Sequence, residues 1–238
     1  MDALMIAAAG LTAQDLALTT LDNDLANTDS AGFLALVSRT AAWPTAPVAR
    51  TGQAVVAPAL ALGAAAVTTW DAAPGAVVET GRPLDAALPD GAFFAVQTPQ
   101  GVAYTRAGAF RVSPAGWLVD AGGAPVLATT GAPIRVPPGA AVAIGSDGTV
   151  TADGQPVAVL GRWRLAGGIQ ARGQGRYTGV AVPDAGPVVP GALVLSNVDR
   201  TATLADLAAA AARAAALAQA WRIAGQTRQQ AAGLGALS

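Results

Sequence analysis

Residues 2–33 read DALMIAAAGLTAQDLALTTLDNDLANTDSAGF, and the reading of that stretch decides the fold. Leu4, Leu11, Leu18 and Leu25 recur at a spacing of seven, with Ala7, Gln14 and Leu21 at the complementary four-residue offset. Such a three-four alternation is the seam along which one helix packs on another. A lone helix cannot bury that seam, so it needs a partner. The far end of the chain offers one: Leu204, Leu207, Ala211, Ala214, Ala218 and Trp221 follow the same alternation. The two ends are expected to pair with each other, with copies of themselves, or with both.

The first helix should stop in Asn23-Asp24-Leu25-Ala26-Asn27-Thr28-Asp29-Ser30-Ala31-Gly32-Phe33. Asn, Asp and Ser compete for helical hydrogen bonds through their side chains, and Gly32 permits a positive φ. The second helix is capped by Asp199 or Thr201 and continues over 202–228.

Between the helices the texture is different. Residues 34–79 contain Trp43-Pro44, Ala46-Pro47 and Ala57-Pro58, each proline biasing its predecessor to extended geometry, and are expected to form an extended arm. From Thr80 onward, short apolar segments alternate with turns. Ala92–Gln97 and Val102–Arg106 form a hairpin across Thr98-Pro99-Gln100-Gly101. Phe110–Val112, Trp117–Val119, Ile134–Val136, Val142–Ile144, Thr149-Val150 and Val157–Leu165 follow, separated by Asp-Gly and Pro-Gly turns. Regular short strands with no helix between them predict an antiparallel barrel or sandwich. Residues 167–191 are rich in Gly and Pro and are expected to be a return loop. The fold class is therefore α+β: long N- and C-terminal helices pairing as a coiled-coil-like domain, with an inserted antiparallel β-rich barrel or sandwich. The boundaries are 1–33 for the N-terminal helix and its motif, 34–79 for the arm, 80–190 for the β-rich domain and 191–238 for the C-terminal helix.

Composition bounds the chemistry. The chain has 238 residues, enough for one or two domains with a real core. Only 12% are charged, against about 25% in a typical soluble domain, which points to burial in an assembly. A net charge of −1 leaves no electrostatic footprint for nucleic acid or an anionic membrane. Cysteine and histidine are both absent, which removes disulfides, thiolate sites and the commonest general base and metal ligand. No uninterrupted run of about 20 apolar residues marks a membrane span, and Asp2 stands where a secretory signal carries positive charge.

Catalytic patterns are weak. Glu79 is the sole Glu, and Asp71 and Asp85, its nearest acidic companions, share no motif with it; a paired-carboxylate hydrolase would need more. Asp120, Asp147 and Asp153 adjoin Gly turns and read as turn residues, without the alternating acids of a calcium loop. Gly173-Gln174-Gly175 lacks the context of a nucleotide loop. Phe93, Phe94, Tyr104, Phe110 and Trp117 alternate on short strands as core residues do. No catalytic, cofactor or metal residues are assigned.

Three separated motifs carry a resemblance. The Asn23, Ala26, Asn27, Gly32, Phe33 string is similar to the N-terminal signature of bacterial flagellar axial proteins. TGRPLDAAL (80–88), DGAFFAVQTP (90–99) and AYTRAGAF (103–110) resemble the central signature of flagellar rod and hook proteins. Gly191-Ala192-Leu193 with Ser196-Asn197-Val198-Asp199 is similar to the lead into their C-terminal helix. Details such as Arg82 and Ser146–Val150 look most like proximal-rod subunits, with distal-rod or hook-basal-body paralogues as the alternative.

The resemblance implies a structural rod subunit, exported through the flagellar type III apparatus without a cleaved signal. It would polymerise helically with itself and other rod subunits through its terminal helices, as a drive shaft spanning the periplasm. It implies no nucleic acid, small-molecule substrate or membrane insertion. The expected assembly interface comprises Leu4, Leu11, Leu18, Leu21, Leu25, Asn23, Asn27, Gly32, Phe33, Ser196, Asn197, Leu204, Leu207 and Trp221. A periplasmic peptidoglycan hydrolase and a monomeric ligand-binding β domain are the readings from other classes.

Overall fold

A computed structural model describes residues 3–42, 55–56 and 64–235. In chain order the elements begin with helix α1 (Ala3–Ala26), then β1 (Leu36–Ala42), β2 (Val55–Val56), β3 (Ala64–Trp70), β4 (Val77–Glu79) and β5 (Ala86–Ala87). The hairpin β6 (Phe93–Thr98) and β7 (Gly101–Thr105) follows, then β8 (Arg111–Val112), β9 (Leu118–Val119), β10 (Val142–Ile144), β11 (Thr149–Ala152) and β12 (Gln155–Val159). The chain continues through β13 (Arg162–Ala171), β14 (Arg176–Pro183), β15 (Val189–Pro190) and β16 (Ala192–Val194) into helix α2 (Arg200–Gly235).

The expected fold class is corrected by this arrangement. The described residues form only two helices and sixteen strands, spread over six small sheets rather than one barrel or sandwich beside a coiled-coil domain. Among the described residues no coiled coil on the leucine seam is seen. Among the described side chains of α2, Thr203 and Ala210 are buried and Leu207, Ala209, Ala214 and Leu217 half-buried; the row 203, 207, 210, 214, 217 is one position off the expected row for every second member, while Leu204 is 47% exposed. Among the described side chains of α1, residues 14–26, the deeply buried positions are Thr20 and Asp24 rather than leucines. A sequence of mostly Ala leaves several helical faces almost equally apolar, so the leucines alone could not identify the face turned inward.

The chain divides into two compact units. The first contains residues 1–26, 36–69 and 199–238. Within it α1 and α2 touch, Gln14 Nε2 donating to the Ala210 carbonyl at 2.9 Å. The strands β1, β3 and β2 lie side by side in that order, with Val55 opposite Thr68 and Val56 opposite Val67. Much of the expected arm, residues 43–54 and 57–63, falls outside the described residues.

The second unit contains residues 27–35 and 70–198. Its central feature is a small closed barrel in the order β13-β14-β7-β6. Phe93 to Val96 on β6 are all buried, because both faces of that strand are covered. Phe94 and Val96 face a large core with Leu88, Leu118, Val126 and Ile134, whereas Phe93 turns to a smaller cluster with Leu34 and Tyr177. That division is the period-two alternation of a strand. Phe94 meets Phe110 edge to face with ring centroids 5.0 Å apart.

Two further expectations are corrected here. The return loop over 167–191 is largely a two-stranded ribbon, β13 against β14. Its register shifts between Leu165 and Gly167 and again between Gly167 and Gln170, which erases the alternation that would have betrayed a strand. The single strand expected over Val157–Leu165 is broken at Leu160-Gly161, where β12 leaves β11 and β13 enters the barrel.

Candidate functional site

Residues 27–33 of the first motif, the central motif and residues 191–198 of the third meet in the second unit. Gly32 has φ +69°, and a Cβ there would overlap the Ala107 amide and the Arg106 carbonyl carbon, so the close approach requires glycine. The Gly32 N–H donates to the Val194 carbonyl at 2.8 Å. Leu34, 1% exposed, donates its N–H to the Tyr177 hydroxyl at 3.0 Å. Tyr177 packs edge-on against Trp70 and Phe93, with centroids 5.4 and 6.0 Å away.

Asn197 is the knot of this region. Its Oδ1 accepts the Ala35 N–H at 2.7 Å, and its Nδ2 donates to the carbonyls of Asp71 and Ala73 at 3.1 and 3.0 Å. An amide side chain suits three segments at once because it offers donors and an acceptor on one planar group. Arg106 fastens the same strip from the other side. It is 2% exposed and donates to the carbonyls of Ala73, Ala72 and Gly91 at 3.1, 2.8 and 2.8 Å. Its guanidinium lies 4.6 Å from the Phe93 ring centroid. Burial lowers its pKa to about 10, still leaving it charged at neutral pH.

Two ion-pair clusters brace the barrel. Arg162 contacts Asp90 at 2.6 Å and Asp184 at 3.0 Å and also donates to the Pro187 carbonyl. The Arg162 hydrogen bond holds the Asp184 carboxyl below the usual carboxylate range. Arg176 grips Asp120 through Nε and Nη2, each at 2.8 Å, and Asp120 Oδ1 also accepts the Ala124 N–H at 2.8 Å. In the first unit, both oxygens of Asp24 accept the Leu36 N–H, at 3.1 and 3.0 Å. Burial raises the Asp24 pKa to about 6, against the opposing pull of that bond and of one from Asn23.

Of the expected interface residues, Gly32, Phe33 and Asn197 come together inside the second unit, with the Asn197 N–H donating to the Phe33 carbonyl at 3.4 Å. Asn27 Oδ1 accepts the Ser30 hydroxyl, and Ser196 Oγ accepts the Val198 N–H. Leu18, Leu21 and Leu25 on α1 and Leu207 on α2 are half-buried, and Asn23 and Leu204 are exposed. The side chains of Leu4, Leu11 and Trp221 lie outside the described residues. Sequence reasoning missed Arg106, Asp24 and Tyr177 as organising groups. An arginine set among small residues in AYTRAGAF, with no acid beside it, was the available signal for the first.

Chemistry beyond bracing is sparse. A cavity of about 400 Å³ is lined by Asn27, Ser30, Gln174 and a floor of Ala and Gly, with no titratable group in its lining. Among the described residues no group of three or more His, Cys, Asp and Glu is placed to hold a metal. Glu79 is exposed on β4, whereas Asp85 accepts the Thr80 hydroxyl at 2.6 Å and Asp71 accepts the Ala73 N–H at 2.9 Å.

The chain is similar to a flagellar basal-body rod protein, FlgF, of Escherichia coli K12, at 34% identity over 212 residues, covering 80% of this chain and 81% of that one. The chain belongs to the flagellar basal-body rod protein family. Its similarity extends to FlgF of Mesorhizobium japonicum, 33% identical over 69% of this chain and 65% of the relative. It also extends to FlgG of Bacillus subtilis, 34% identical over 56% of this chain and 54% of the relative. Residues 89–152 match the family described as flagellar hook protein FlgE/F/G D1 domain. This is a FlgF-like structural subunit of the flagellar basal-body rod, with FlgG as a close relative. Membership explains the balance of the structure, which devotes its buried polar groups to holding backbone segments together.

Proposed function

We propose that this rod subunit is a proximal-rod member that polymerises helically with copies of itself and with other rod subunits, using its terminal helices as contact surfaces. The observation that carries the reading is a row along α2. Leu204, Ala208, Ala211, Ala215 and Ala218 recur at four-three spacing and are all exposed in the isolated chain. The row runs for about 21 Å at 1.5 Å per residue. It lies beside the row that turns inward, so α2 carries apolar positions for two neighbours rather than one. Residues 200–219 are long and apolar enough to cross a membrane by length and composition, with mean hydropathy 1.2, yet only 11% of that stretch is buried. In an axial assembly the same surface is covered by a second subunit, and small Ala side chains allow close helix approach. The leucines of α1 (Leu18, Leu21, Leu25) belong to the same contact system.

The resemblance supports export through the flagellar type III apparatus without a cleaved signal, followed by service as part of a shaft across the periplasm. The role is structural, without catalysis. The experiment is Leu204→Asp in the full-length chain, scored by incorporation into basal bodies and by motility. Because Leu204 is exposed, the variant folds, and incorporation should fall at least tenfold. Normal incorporation with a folded variant refutes the α2 contact.

A further inference from the structure

We propose that the second unit closes in two separable stages, a main core followed by a terminal latch, and that Asn197 and Gly32 are the positioning residues of the latch. The division is visible in which residues each cluster uses. The main core draws on residues 86–188 and contains nothing from 27–35 or from 191–198. The other two clusters depend on those end pieces. One is Leu34 with Phe93 and Tyr177, and the other is Ala87 with Ala192 and Val194.

The backbone bonds divide in the same way. The Leu118, Val126 and Ile134 amides donate to the Ile134, Leu118 and Val126 carbonyls, all within the main core. The end pieces instead bond to each other and to the strip at 71–76. Gly32 donates to Val194, Asp71 to Ala35, and Leu195 to Ala76, at 2.8, 2.9 and 2.8 Å. Asn197 ties Ala35, Asp71 and Ala73 into one knot.

Residues 27–35 and 191–198 therefore hold each other. They share three hydrogen bonds, Gly32 to Val194, Asn197 to Phe33 and Ala35 to Asn197, and both reach the strip at 71–76; residues 191–198 also pair with β4 and bond Thr80, Gly81 and Asp85. Of the strip's hydrogen bonds, residues 191–198 supply three, to Asp71, Ala73 and Ala76, residues 27–35 supply one, to Asp71, and Arg106 supplies two. Cooperative opening in contiguous pieces is the expected behaviour of such a layer, because its bonds are lost together while the main core keeps its own. The open form would uncover Phe93 and Tyr177 without dissolving the core beneath them. A chain whose residues 191–198 have not yet arrived holds the core and lacks the latch. This inference concerns one unit of the chain and stands whether or not α2 is an assembly surface.

The test is residue-resolved amide hydrogen exchange on the full-length chain and on two variants, Asn197→Ala and Gly32→Ala. The first removes the knot from the C-terminal side. The second displaces the N-terminal piece through the clash of its Cβ with the backbone at 106–107. Both should speed exchange of the Leu195 and Asp71 amides by about tenfold or more, a factor of ten corresponding to 1.4 kcal/mol. The Leu118, Val126 and Ile134 amides should be unchanged in both. Equal acceleration at the core amides would show one cooperative block and overturn the proposal. So would acceleration confined to the neighbours of each substituted residue. Should either variant fail to fold, the unsubstituted chain at sub-denaturing urea answers the same question. Leu195 and Asp71 should exchange through a smaller opening than Leu118, and identical openings would refute the latch.

Discussion

Arg176→Met isolates the cost of stranding a buried charge. In the intact chain the Asp120 and Arg176 side chains are 6% and 13% exposed, with two bonds of 2.8 Å between them. After substitution the Asp120 carboxylate keeps only the Ala124 N–H among these bonds. Breaking a buried pair from one side costs about 3–5 kcal/mol, whereas an exposed pair contributes about 0–1 kcal/mol. The residual exposure of the arginine places the expected loss near the lower end, about 3 kcal/mol. Adding Asp120→Asn removes the stranded charge while its Oδ1 still accepts the Ala124 N–H. The double variant should therefore lie within about 1 kcal/mol of the parent. Urea unfolding reads both numbers from the midpoint at constant slope. Raising salt should leave the loss nearly unchanged, since a buried pair is poorly screened. A single-variant loss below about 1 kcal/mol, or a double variant no better than the single, would refute the burial argument.

Asp24 makes a pH prediction. Its folded pKa of about 6 lies above the ordinary 3.8, so the folded chain binds the proton more tightly than the unfolded one. Its contribution to stability is full below the unfolded value and is lost as pH rises through about 6. Asp24→Asn should flatten that part of the stability profile between pH 4 and 7 in urea titrations, and an unaltered profile would count against the burial of this carboxyl. Arg106→Lys keeps the charge and loses the planar fork that reaches three carbonyls and stacks on Phe93. A loss of about 2 kcal/mol in urea unfolding is expected, and a neutral result would mean the carbonyls find equivalent partners in water.

Much of the local structure was legible. The hairpin across residues 99–100 was announced by its Pro and Gly between two β-rich runs. Gly116, Gly123, Gly148 and Gly154 adopt positive φ at the turns their Asp, Ser and Pro neighbours mark. The terminal helices and the family motifs were legible too, because capping, turn chemistry and short signatures lie within a dozen residues of chain. The ribbon over 162–183 was not, since its two register shifts remove the alternation a reader relies on.

What the sequence determined by itself is therefore many of the turns, where the first helix stops and the second begins, and which family of subunits the chain joins; the second helix runs on to Gly235, past the expected end at 228. Tertiary structure alone decided which helical face is covered and which polar groups become buried partners. Leu204 and Thr203 are neighbours in an Ala-rich helix, and only the packing chose Thr203 for the inside. Asp120 and Arg176 are 56 residues apart and Leu34 and Tyr177 are 143 apart. The free energy of such contacts resides in desolvation and in bond geometry between distant segments. Those quantities have no value until the intervening chain is folded.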